Sequence, residues 1–66
     1  MAYVEVHPER GGFQIFVDGE PIKPWVGNPE FVDSTIRSHG IRNLGPWEPA
    51  LRADGVEYQR ARMLGI

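Results

Sequence analysis

The feature that most constrains this chain is a pair of alternating apolar runs near its start, separated by a turn-rich stretch and followed by Asp18-Gly19. Val4 and Val6 alternate with Tyr3, Glu5 and His7, and Phe13, Ile15 and Val17 alternate with Gln14, Phe16 and Asp18. A period of two sends one set to the core and the other to the opposite face of a strand, so the runs are expected to pair as a hairpin. Setting Val6 opposite Phe13, Val4 opposite Ile15 and Ala2 opposite Val17 keeps like facing like, with Pro8, Glu9, Arg10 and Gly11 as the loop. A one-residue slip would invert every side chain. The same register sets Tyr3 opposite Phe16 and Glu5 opposite Gln14 on the second face. Asp18-Gly19 then suits a type I′ turn, whose central residues both need positive φ. It returns the chain with Ile22 opposite Ile15. Pro21 and Pro24 lack N–H donors, which predicts a short third strand at a sheet edge.

After an extended connection through Pro24, Trp25, Val26 and Gly27, Asn28 and Pro29 predict the start of a helix, with Asn28 as N-cap and Pro29 where no donor is needed. Glu30 and Asp33 complement the positive helix end, and Asp33 can pair with Arg37 one turn on. Phe31, Val32, Thr35 and Ile36 fall on one face, which should cover the Val4, Val6, Phe13, Ile15, Val17 side of the sheet. Gly40 ends the helix at His39, with Ile41 folding back on Ile36.

Arg42 to Pro49 is turn-like. Beyond it, Asp54 as cap, Glu57 as its capping-box partner and the run from Glu57 to Leu64 predict a short C-terminal helix, with Leu51, Tyr58, Ala61 and Leu64 facing inward. The alternative is a second hairpin turning at Asp54-Gly55, with Ala53 opposite Val56, Arg52 opposite Glu57 and Leu51 opposite Tyr58. Ala61 to Ile66 locally resembles the end of the first helix and the turn of a helix-turn-helix; that motif needs a recognition helix after it, and a Gly-capped terminal helix accounts for the same residues. The expected architecture is thus a single α+β domain over residues 1–66: a three-stranded antiparallel β-meander packed against one α-helix, with a short C-terminal helix or, alternatively, a second hairpin.

Sixty-six residues without cysteine leave a small core and no disulfide or thiolate metal support, which makes homo-oligomerisation a natural supplement. The lack of cysteine suits a reducing compartment. No basic leader precedes an apolar stretch, and no apolar run is long enough to span a bilayer. A cytoplasmic protein with no membrane partner is expected. Charge is uneven: up to Thr35 two basic residues face six acidic ones, a balance of −4, and from Ile36 on five face three, a balance of +2. That asymmetry falls short of the basic stripe that phosphate binding requires.

No catalytic constellation is legible. His7 and His39 lie on separate elements, and Ser34, Ser38, His39 and Asp33 are neighbours on one helix, where nucleophile, base and orienter cannot converge. Gly11-Gly12 precedes a strand and so lacks the context of a phosphate loop. No cofactor or metal site is expected. Binding is the expected work, as a non-catalytic inhibitor, adaptor or self-assembling accessory protein using the outer face or the edge of the N-terminal hairpin. The outer-face candidates are Tyr3, Glu5, His7, Gln14 and Phe16, an aromatic pair framed by polar groups. The edge is the first strand from Ala2 to His7, which carries no proline to block strand addition. Trp25 and Trp47, each after a proline, are secondary candidates. Nucleic-acid binding through Arg37, Arg42, Arg52, Arg60 and Arg62 is the first alternative. A small oligomeric enzyme or ligand-binding subunit is the second.

Overall fold

The computed structural model describes residues 2–64, with the side chains of residues 23–25 outside that description. The strands are β1 (Tyr3–Glu9), β2 (Gly12–Val17), β3 (Glu20–Val26), β4 (Glu48–Leu51) and β5 (Glu57–Arg62). Between β3 and β4 come a 3-10 turn (Pro29–Phe31) and the helix α1 (Val32–Ser38). The strands form one antiparallel sheet in the order β3-β2-β1-β5-β4, with the helix on one face.

The meander forms as its alternation dictates, but in a tighter register. Val4 pairs with Val17, Glu5 with Phe16, Val6 with Ile15 and His7 with Gln14, while Glu9 pairs with Gly12 across Arg10-Gly11. This differs from the expected pairing by two residues. Such a slip leaves every side chain on its face, so parity cannot detect it; the loop shortens from four residues to two as Pro8 pairs with Phe13 and Glu9 with Gly12. The turn into β3 is as expected, with φ of 53° at Asp18 and 84° at Gly19 and Ile22 opposite Ile15. Although β3 lies at an edge, it is not short: it runs to Val26 past a register shift between Phe13 and Ile15. Gln14 Nε2 donates to the Ile22 carbonyl at 3.0 Å beside that irregularity.

Asn28 caps as expected, its side chain accepting from the Glu30 N–H at 2.9 Å. The first turn is 3-10, however, and α1 ends at Ser38. A 3-10 turn advances each residue further around the axis than an α-turn does. Ile36 therefore reaches the core at 1% exposure, whereas Phe31, expected on the same face, is 58% exposed. The buried cluster is Val4, Val6, Ile15, Val26 and Ile36, with Ile41, Leu44 and Met63 packed against it.

The C-terminal segment is a hairpin, not a helix. Residue-level helix propensities differ by tenths of a kcal/mol, and they lose here to the free edge of β1, whose backbone groups need partners. Strand β5 supplies them, setting Val4 opposite Ala61 and Val6 opposite Gln59. In β1, even-numbered residues turn their N–H groups toward β5, so the ladder stops at Val6 because Pro8 has no donor to extend it. The hairpin register also differs from the alternative by one residue: Leu51 pairs with Glu57 and Ala50 with Tyr58. The turn takes one residue more than a tight Asp-Gly turn, with the Gly55 N–H bonded to the Arg52 carbonyl and the Arg52 N–H to the Val56 carbonyl, both at 2.9 Å. Of the four residues expected to face inward on a helix, Ala61 is buried, Tyr58 half-buried, and Leu51 and Leu64 exposed. Ala61 and Arg62 belong to β5, which removes the helix-turn-helix likeness; Gly65 and Ile66 lie outside the described residues.

Both sheet edges are guarded. The Arg52–Val56 bond fixes residues 52, 50 and 48 as those facing β5, so Pro49 and Leu51 face outward. On β3, Glu20 closes the turn against Val17, so Pro21 faces outward in the same way. A proline thus stands at one of the positions where each edge would offer an N–H to an added strand.

Candidate functional site

The outer face of the sheet gathers all five residues singled out there. Tyr3, Glu5 and His7 share it with Phe16 and Gln14 from β2, with Tyr58, Arg60 and Arg62 from β5, and with Glu48 from β4. The segment from Trp47 to Leu64 does not fold across this face but widens it. Tyr3 and Phe16 are not directly opposed. Instead His7, 7% exposed, stacks on Tyr58 with centroids 4.1 Å apart and planes 12° apart, and meets Phe16 edge-on at 4.8 Å.

His7 Nε2 lies 2.8 Å from Glu5 Oε1. An ionised carboxylate only accepts, so Nε2 donates, and Nδ1 is left buried without a partner. Arg60 lies over the Tyr3 ring, 4.6 Å from its centroid, and donates to Glu48 at 2.9 Å. That hydrogen bond is the leading cause raising the Arg60 pKa. On the outer face, aromatic and charged groups thus already hold one another, with His7 Nδ1 left unpartnered.

The edge of β1 is no longer an edge, since β5 occupies it. The arginines do not converge. Arg60 and Arg62 share the outer face of β5, where Arg60 pairs with Glu48, but Arg52 pairs with Asp54 and Glu9 at a hairpin tip, Arg37 with Asp33 on α1, and Arg42 lies between α1 and β4. Arg52 holds the Asp54 carboxyl down at about 2, helped by the Val56 N–H, which donates to it at 3.1 Å. Among the described residues no group of three or more His, Cys, Asp or Glu could hold a metal ion, and no helix is long and apolar enough to cross a membrane.

A second surface lies on the inner face, and sequence reasoning missed it. Four inter-strand spacings make the five-stranded sheet about 19 Å wide, against a helix diameter of about 10 Å. One helix cannot cover five strands. Beside α1 the uncovered part forms an open groove of about 310 Å³, floored by Val6 and Phe13 and walled by Pro29, Val32, Asp33, Trp47 and Gln59. Trp47 is 41% exposed. Leu51 is 70% exposed and by strand parity lies on this same face at the β4 edge, opposite Glu57. The available signal was Trp47, which sequence reading already set apart. The Trp25 side chain lies outside the described residues.

Compared with known proteins, the chain matches no family model, no curated protein and no solved structure.

Proposed function

We propose that this chain is a non-catalytic protein-binding module whose contact surface is the uncovered part of its inner sheet face. One observation carries the reading: Trp47 stays exposed on the wall of an apolar groove, with Leu51 exposed on the same sheet face, in a chain that has little apolar surface to spare. Aromatic anchors around a concave apolar floor are the composition of a binding hot spot. The outer face suits the role less well, because Tyr3, His7, Phe16 and Tyr58 are already engaged by neighbours. Nucleic-acid binding is less favoured, since Arg37, Arg52 and Arg60 each have a carboxylate partner.

The test compares affinity capture by wild type, by Trp47→Ser/Leu51→Glu and by Tyr3→Ser, each first shown to be folded by circular dichroism. A protein held by wild type and Tyr3→Ser but lost from the double variant supports the inner-face reading. Loss with Tyr3→Ser alone returns the function to the outer face.

A further inference from the structure

Resting on the reading of the groove as a protein-binding surface, we infer that its occupant is an amphipathic helix with basic flanks, presented by another protein. Two observations select that class. The first concerns hydrogen bonding. The floor and most of the walls, Val6, Phe13, Pro29, Val32 and Trp47, offer side chains without acceptors, the Trp47 indole N–H being their one polar group. The adjoining β4 edge has a proline at one of its outward positions. An extended peptide laid here would leave part of its backbone without partners, which is costly once water is excluded. A helix satisfies its own backbone and needs only an apolar stripe, the helix-in-groove mode of recognition.

The second observation is the sign of the rim. Asp33 lines the groove, Glu30 follows Pro29 on the 3-10 turn, and Glu57 shares the face of Gln59 and sits opposite Leu51. Arg37 offsets Asp33 from one turn further along α1, at 3.4 Å, and Arg10 stands in the β1–β2 turn. Asp33 is the charged group among the lining residues and Glu57 shares the sheet face, so against the guanidinium of Arg37 this side of the groove is net acidic. Lysine or arginine flanking an apolar anchor would complement it, whereas acidic flanks would be repelled.

The test titrates the 15N-labelled chain with three synthetic helical peptides of about 16 residues, long enough to hold some helix in water. All carry the same Leu and Phe stripe and differ only in having Lys, Gln or Glu flanks. The Lys peptide is expected to shift the resonances of Val6, Phe13, Val32, Trp47 and Gln59. It should bind about tenfold more tightly than the Gln peptide, the sum of two or three ordinary surface ion pairs. Asp33→Asn/Glu57→Gln should erase that difference. If the Gln or Glu peptide binds the groove as tightly as the Lys peptide, the groove reading stands and the basic assignment is overturned. If no peptide moves these resonances, both fail. If the same resonances move on dilution of the chain alone while its solution mass falls, a second copy is the occupant and the foreign helix is overturned.

Discussion

The two halves of the sheet are built from the same backbone pairing and yet do different work. Over β1, β2 and β3, Ile36 of the helix closes the buried cluster with Val4, Val6, Ile15 and Val26. Over β5 and β4, Ala61 is buried, but Leu51 and Trp47 remain open to water. Sheet hydrogen bonding therefore does not by itself make a core; a second layer does, and one helix supplies it for only part of the sheet. The covered part holds the fold, and the surface opens where that cover ends, from Val6 and Phe13 across to Gln59 and Trp47.

The sharpest way to break this comparison is at Ile36. Ile36→Ala should cost about 2–5 kcal/mol, a large part of the roughly 3–10 kcal/mol available to a chain of this length. Ile36→Val, at about 0.5–1.5 kcal/mol, keeps the measurement readable if the alanine variant does not fold. Denaturant titration of both variants checks this, and a loss below about 0.5 kcal/mol for the alanine variant would show that the helix is not the second layer.

The next effect compares the turns. Gly19 and Gly55 have φ of 84° and 86°, and a Cβ at either would meet nothing within 4 Å, so alanine brings backbone strain alone, about 1–2 kcal/mol. The location of the loss should differ. Gly19→Ala is expected to lower global stability, because its turn joins two strands of the covered half. Gly55→Ala should instead speed hydrogen exchange in β4 and the tip of β5, the half without a second layer. Equal, global losses would erase the distinction.

Much of the covered half was legible in the chain itself. Strict alternation, Asp18-Gly19, and Asn28-Pro29 before a helical pattern are local signals that agree with the tertiary result. The open half was not, for reasons that can be named. Asp54 accepts from an N–H two residues on, and that single bond serves a helix N-cap and a hairpin turn alike. What decides between them is the free edge of β1, which lies some fifty residues away in sequence. The hairpin alternative did locate the turn, and one residue of register changed which side of the sheet Leu51 faces. The outer-face residues were correctly grouped on one face. Their mutual engagement is not visible in the sequence, because the helix propensity of the run from Glu57 to Leu64 places Tyr58 and Arg60 on a helix.

His7 provides a smaller test, on the face that both halves share. His7→Phe keeps a ring between Phe16 and Tyr58, removes the unpartnered Nδ1 and gives up the hydrogen bond to Glu5. The relief of about 1–3 kcal/mol and the loss of about 1.5–3 kcal/mol, the bond being to a charged group, nearly offset, so stability should change by no more than about 1 kcal/mol. His7→Ala, which empties the sandwich, should lose stability. Thermal melts of the pair separate ring packing from hydrogen bonding, and a large loss with phenylalanine would make the Glu5 contact the dominant one.

Acid should act on the open half first. Hydrogen bonds from Arg52 and from the Val56 N–H set the Asp54 pKa at about 2, below its ordinary value. A carboxyl held low in the folded state stabilises it above the unfolded-state value of about 3.9, and that stabilisation is lost as pH falls through about 2. The Val56 amide should therefore lose protection between about pH 4 and pH 2 while amides of β1 and β2 hold. Asp54→Asn keeps an acceptor and should flatten that dependence. Simultaneous loss across the whole sheet would mean that the hairpin tip is not a separate unit.

The smallest expected effect carries the sharpest contrast. Leu51 is as apolar as Ile36 but is 70% exposed, so Leu51→Ala should change stability by less than about 0.5 kcal/mol. A residue that contributes so little to folding, kept large and apolar beside a groove, is the one whose loss should be felt in binding. Measured together, unchanged denaturant midpoints and a weakened complex assign Leu51 to the surface. A stability loss approaching that of Ile36→Ala would place Leu51 in the core instead, and the division of the sheet into a folding half and a binding half would fall with it.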